Sequence, residues 1–258
     1  MWSRHGFANI DKAESFISGH GHDVDQVTAS PELLCSTLRQ PRRTRNEIAS
    51  KNDPRRMTQD NIWARALFVW EVAAKEISRL ATCVDKERFA RCVEAFAACR
   101  GRIVTMGCGA SAVAARKVAH SLSCIERPAF FLSPSDAPHG ALGAVQPGDV
   151  AVLFSKSGET DELLVLLPSL KAKKVLLVAA TESEGSALAR QSDLVLKVKV
   201  DREADSFNML ATTSTMAVVA VFDAICVALM EYTGYTREQF AVIHPHGAVG
   251  NRLTGRKG

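Results

Sequence analysis

From Gly101 onward the chain alternates short runs of β-branched and apolar residues with helix-patterned stretches, and this alternation restricts the fold more than any other feature. Residues 103–106, 129–132, 150–154, 174–180 and 194–200 read as five strands, and residues 111–124, 160–170 and 186–191 between them read as helices. Strands separated by helices are parallel neighbours, because a parallel pair needs a crossover far longer than a hairpin turn. Val150-Ala-Val-Leu-Phe154 and Val175-Leu-Leu-Val178 are apolar without alternation, so both faces of the sheet are covered. The expected fold class is therefore α/β, a doubly wound five-stranded parallel sheet flanked by helices. Ligands of such a sheet collect at the carboxyl ends of its strands.

Residues outside this core divide into two kinds. Residues 1–57 hold Arg39, Arg42, Arg43, Arg45, Arg55 and Arg56 with little apolar periodicity, and they read as a flexible leader. Residues 58–258 read as the folded domain, opened by an amphipathic helix over 61–80 and completed by a long apolar helix over 209–230 and a short one near 237–242. The balance of 32 basic against 28 acidic residues leaves a net charge of +4, too mild to imply a nucleic-acid partner without a concentrated basic surface. The uninterrupted apolar runs 163–167 and 175–180 fall far short of the roughly 18 to 20 residues of a membrane span, and the first residues show no secretory signal. No membrane association and a cytoplasmic location are expected. Seven cysteines, odd in number and without a Cys-x-x-Cys pair, read as reduced core thiols.

Two strand-to-helix junctions carry chemistry. Met106-Gly-Cys-Gly-Ala-Ser111 and Phe154-Ser-Lys-Ser-Gly-Glu-Thr160 each follow a strand directly. Glycine permits the tight turn, and amides at the next helix start together with hydroxyls face an anion. Ser111, Ser155, Ser157 and Thr160, with Gly109 at the first turn, are the expected phosphate ligands. The first junction lacks the third glycine of a dinucleotide fingerprint, and no matching acidic residue closes the second strand, so no nicotinamide cofactor is expected.

Ser155-Lys-Ser-Gly-Glu-Thr160 resembles the signature of the sugar isomerase (SIS) domain family, and the resemblance runs over about 150 residues from Gly101 to Gly250. Pro138-His-Gly-Ala-Leu-Gly143, Ala211-Thr-Thr-Ser-Thr215 and His244-Pro-His-Gly-Ala-Val-Gly250 each resemble a motif of the arabinose-5-phosphate isomerases within that family. The resemblance implies a homotetramer with active sites shared between subunits. It also implies interconversion of aldose and ketose phosphates without cofactor or catalytic metal. Residue by residue, it places catalytic carboxylates at Glu203 and Glu162 and catalytic histidines at His244, for ring opening, and His139. Thr213, Ser214 and Thr215 would complete the phosphate cradle. Such an isomerisation moves a proton between C1 and C2 through an enediol, which requires a base serving both carbons and a second group handling the oxygens. Glu203 is the preferred base and Glu162 the second choice or a shuttle between hydroxyls, with partial burial expected to raise the carboxyl pKa towards neutrality.

The departures from that pattern are equally specific. Ala110 stands where these isomerases carry a lysine, and Lys156 stands where they carry an uncharged amide, so Lys156 is expected to supply the phosphate's counter-charge from the opposite loop. Asp205-Ser-Phe-Asn-Met-Leu210 lacks the proline and glycines usual there, which leaves the sugar open. The longer isomerases continue into a pair of regulatory CBS modules, and regulation through such modules is not expected for a chain ending at Gly258. Two alternatives remain beside the arabinose-5-phosphate reading: a non-catalytic phosphosugar sensor and a phosphoheptose-type isomerase.

Overall fold

The structure is a computed structural model that describes residues 57–246 together with Gly250 and Arg252. The expected leader lies, apart from Met57, outside the described residues, as do Cys35 and part of the turn after His244.

Two helices precede the sheet. α1 (Gln59–Cys83) starts where the Thr58 hydroxyl accepts the Asn61 amide, and α2 (Lys86–Ala98) starts where the Asp85 carboxylate accepts the Arg88 amide. The sheet follows the expected alternation: β1 (Ile103–Gly107), α3 (Gly109–Ser123), β2 (Ala129–Phe131), β3 (Val150–Phe154), α4 (Asp161–Leu164), α5 (Leu167–Ala172), β4 (Leu176–Thr181), α6 (Ala187–Arg190) and β5 (Leu194–Lys197). The strand order is β2-β1-β3-β4-β5, and each neighbouring pair is parallel. The chain closes with α7 (Thr213–Thr233) and α8 (Arg237–Ile243).

β1 and β3 are buried along their whole length, and the period-2 alternation of strand side chains sorts them between two cores. Val150, Val152 and Phe154 of β3, with Val178 and Ala180 of β4, meet Phe96 of α2, Val118 and Leu122 of α3, and Phe222, Ile225 and Leu229 of α7. Ala151, Leu153, Leu177 and Ala179 face the other way, onto Leu163, Leu166, Leu167, Leu170 and Leu188. Helices on both faces explain why these strands are apolar without interruption.

Three expectations change. The helix expected over 160–170 is two helices, because Pro168 in the first turn of α5 has no amide to give the Leu164 carbonyl. The long helix begins at Thr213 rather than near 209, because the amides of Phe207, Met209 and Leu210 turn instead onto the Asp205 carboxylate at 2.8 to 2.9 Å. That helix is also long and apolar enough to cross a membrane by length and composition, although Asp223 divides its apolar stretch into two shorter runs. Here it is a core helix: one face is built into the larger core, and Asp223 pairs with Lys117 on α3. Among the described cysteines, Cys92 and Cys226 are buried, with thiols pushed up by burial to about 11 and about 12, whereas Cys83, Cys99, Cys108 and Cys124 are half-buried; all six are reduced.

Candidate active site

The strand register aligns the parts of the site. Gly107 pairs with Phe154, Phe154 with Ala180, and Ala180 with Leu196. The residues just beyond β1, β3, β4 and β5 therefore emerge at one level: Ser111, Ser155 and Lys156, Glu182, and Val198 with Lys199. Crossovers leave β1 toward β2 on one side while β3 lies on the other, so the gap between β1 and β3 is the topological switch point where open α/β sheets hold their ligands.

A cavity of about 60 Å³ opens at this edge of the sheet, between the loops after β1, β3 and β4 and the start of α7. Its apolar wall includes Ala110, Ala114, Phe154, Ala180 and Val218, and its polar wall includes Ser111, Ser155, Lys156, Thr181, Glu182, Ser214 and Thr215. It shares Ser111, Lys156 and Glu182 with a broader groove that adds Ser157, Thr160, Ser183 and Lys199.

The loop after β3 is tied down by its own hydroxyls. Ser155 is buried, its Oγ accepts the Gly158 amide at 2.9 Å, and it shares a hydrogen bond with Thr160 Oγ1 at 2.7 Å. Gly158 has φ of +72°, and a Cβ there would collide with the Ser186 side chain, so this position admits glycine on two counts. Gly107 is constrained by proximity instead: an added Cβ would stand 2.9 Å from the Ser111 backbone, where α3 turns back over the strand end. No side chain caps α3, whose first turn carries Gly109 and Ser111 beside the cavity.

Glu203 is the most constrained carboxylate of the site. It is buried to 1% exposure, and both oxygens are engaged. Oε1 accepts Lys156 Nζ at 2.7 Å, and Oε2 accepts the Thr212 amide, the Thr212 hydroxyl and the Ser214 amide at 3.0 to 3.2 Å. The carboxylate thus occupies the amino end of α7, where negative charge is favoured. Its own amide is held by Asn208 Oδ1 at 2.6 Å, Asn208 taking the left-handed backbone (φ 58°) that asparagine tolerates. From the other side α1 clamps the preceding segment: buried Glu76 accepts the Asp201 amide at 2.9 Å, Arg79 bridges Glu76 and Asp201, and the Arg202 guanidinium lies 5.2 Å from the Phe68 ring centre.

The electrostatics differ from expectation. Burial pushes the Glu203 carboxyl up, but hydrogen bonds from Lys156, Ser214 and Thr212 outweigh it and hold the group at about 2. The amides of Thr212 and Ser214 therefore serve Glu203 in this state rather than a phosphate. Lys156, half-exposed, also stands 3.8 Å from Glu182 Oε1. Burial raises the Glu182 pKa, and the Lys156 charge and a hydrogen bond from the Val200 amide only partly oppose it.

Of the residues singled out in the sequence, Ser111, Ser155, Lys156, Ser157, Thr160, Ser214 and Thr215 converge on the cavity and groove, with Glu203 joined to them through Lys156. Thr213 is fully buried, and its hydroxyl lacks a hydrogen-bond partner. Glu162 is exposed on α4, His139 is exposed after β2, and half-buried His244 stacks on Phe240 with its Nδ1 3.0 Å from the Phe240 carbonyl. None of these three lines the cavity or the groove within one chain. Sequence reasoning missed Glu182, Lys199, Asn208 and Thr212. Glu182 carries a readable signal, since it lies two residues past the strand expected over 174–180, whereas Lys199 falls inside the strand expected over 194–200 and lies beyond it only because β5 ends at Lys197.

An open parallel sheet with two hydroxyl-bearing loops and a lysine at its switch point has the features with which α/β domains hold an anionic ligand. The sequence model of the SIS domain matches residues 96–228, and the chain belongs to that family. Among curated proteins it is similar to arabinose 5-phosphate isomerase KdsD of Yersinia pestis, 40% identical over 167 residues (65% of this chain and 51% of that protein), and to KdsD of Escherichia coli K12, 42% identical over 155 residues (60% and 47%). The chain spans about half the length of these relatives. Among solved structures it is similar to a Listeria monocytogenes protein, 49% identical, covering 74% of this chain and all of that one with a TM-score of 0.73. It is also similar to an E. coli CFT073 protein in complex with arabinose 5-phosphate, 33% identical, covering 73% of this chain and all of that one with a TM-score of 0.71.

Proposed function

We propose that the chain is a sugar-phosphate aldose–ketose isomerase acting on arabinose 5-phosphate or a closely similar phosphosugar. The observation that carries this reading is the buried Glu203 carboxylate paired with a half-exposed Lys156 where the β1 and β3 loops meet. The resemblance to arabinose 5-phosphate isomerases and to a protein solved with arabinose 5-phosphate supports it.

In this reading the phosphate sits in the groove among Ser111, Ser157, Thr160, Lys156 and Lys199, and the carbonyl end of the sugar enters the cavity. Lys156 is the movable part, because its stem is long and its ammonium half-exposed, whereas the other partners of Glu203 belong to the backbone and hydroxyl of α7's first turn. A bound phosphate draws the ammonium from Glu203, whose pKa then rises and lets it take the C2 proton. Lys156→Gln is expected to raise KM for the phosphosugar at least about tenfold, the scale of one charge-assisted contact, in steady-state assays. An unchanged KM would remove Lys156 from phosphate binding.

The remaining catalytic groups fit an assembly. His139 and His244, outside the cavity of their own chain, would complete a neighbour's site in a homotetramer, with Glu162 at its margin. The exposed Ile62, Trp63, Leu67 and Trp70 on α1 support such burial between subunits. A fully active monomer in light scattering would contradict it.

A further inference from the structure

Glu182 directly follows β4 and lines both the cavity and the groove. Its Oε1 is buried and makes no hydrogen bond, the 3.8 Å approach of Lys156 Nζ being too long for one. A buried carboxyl oxygen left this way is costly unless something in the cavity supplies its partner. It differs in kind from Glu203, 2.7 Å from the same ammonium on Oε1 and saturated by α7 on Oε2. One lysine thus stands between a carboxylate held firmly ionised and a carboxyl group that burial pushes toward its protonated form. Environments that push paired carboxyl groups apart in this way divide acid from base.

We propose that Glu182 is the catalytic acid–base that moves the proton between the two substrate oxygens, while Glu203 moves the proton between the two carbons. This rests on the isomerase reading above. Among the described residues that line the cavity and the groove there is no histidine, and Glu162 lies outside both, so Glu182 is the carboxyl group there with an oxygen in need of a donor. The steps balance. Glu203 takes the C2 proton, the C–H electron pair becomes the C1=C2 bond, and the C1 carbonyl oxygen takes the proton of the Glu182 carboxylic acid. The Glu182 carboxylate then takes the O2 proton as the C2 carbonyl forms, and C1 takes back the proton from Glu203. Glu182 thus enters and leaves the cycle in its carboxylic acid form.

The test separates carbon chemistry from oxygen chemistry. Arabinose 5-phosphate is incubated in deuterated water with the wild-type chain, Glu182→Gln and Glu182→Asp, and proton NMR follows C2 deuteration of the aldose and ketose formation. Without the oxygen shuttle the enediol returns to deuterated aldose more often than it goes forward. Glu182→Gln is expected to lower conversion by about 10²-fold, the lower end for one acid–base group, and to raise the ratio of exchange to conversion by at least about tenfold. Glu182→Asp should recover part of the conversion. Equal loss of exchange and conversion, with a lowered melting temperature or without it, would assign Glu182 to structure and overturn the inference. Unchanged rates would overturn it as well. A wild-type chain that neither exchanges nor converts the sugar would instead refute the arabinose 5-phosphate reading on which the inference rests, and the inference with it.

Discussion

Glu203→Gln is expected to lower kcat by about 10³-fold or more while the chain stays folded, because the amide keeps an oxygen for the α7 amides but cannot accept the C2 proton. The substitution also removes the counter-ion 2.7 Å from Lys156, so KM should change less than kcat, with the ammonium left to the phosphate. Steady-state kinetics alongside circular dichroism measure both. Acid stability gives an independent readout. The carboxyl is held at about 2 against an ordinary 4.5, so the folded state binds this proton less readily than the unfolded chain does. Its stabilising contribution is complete above pH 4.5 and is lost as the pH falls toward 2. Urea midpoints of the wild type should therefore decline across that window more steeply than those of Glu203→Gln. Matching profiles would show that the ion pair and helix-end bonds do not hold the carboxylate in solution.

Phe222→Ala is expected to cost about 3 to 5 kcal/mol, the range for a fully buried phenylalanine, and to be the most damaging single truncation in the larger core. Phe222 is 1% exposed and lies 4.9 Å from Phe154 and 6.4 Å from Phe96 between ring centres. It thereby joins α7 to the sheet and to α2 at one point. Phe154 also lines the cavity, so the void would open directly behind the site. Chemical denaturation should show a lower midpoint with little change in slope. KM should rise in the surviving fold, whereas a loss below about 1 kcal/mol would mean that the core closes over the gap.

The fold was legible because apolar runs of strand length report burial on both faces, and residues 150–154 needed no tertiary information to be placed. The division of the 160–170 helix was written in Pro168, yet an apolar helical pattern running through it concealed the break. The helical character around Phe96–Cys99 was legible, but the bounds of α2 were not, because only Val84 and Asp85 separate it from α1. At the site, Ser111, Ser155 and Lys156 were found because loops after strands carry glycine and hydroxyls. The state of Glu203 was not readable: its low pKa depends on amides of Thr212 and Ser214, which reach it only when the Asp205 turn delays α7. Glu182 lacked a motif and became visible only when register placed the ends of β3, β4 and β5 side by side.

The central claim is that the pocket between the β1 and β3 loops isomerises a phosphosugar through proton transfer at C2. Incubation of the chain with arabinose 5-phosphate in deuterated water, followed by proton NMR, tests it most directly. Loss of the C2 proton signal together with appearance of ribulose 5-phosphate is predicted, abolished in Glu203→Gln. Absence of both exchange and conversion, while sugar phosphates still raise the melting temperature, would contradict it and make the domain a phosphosugar-binding module without catalysis.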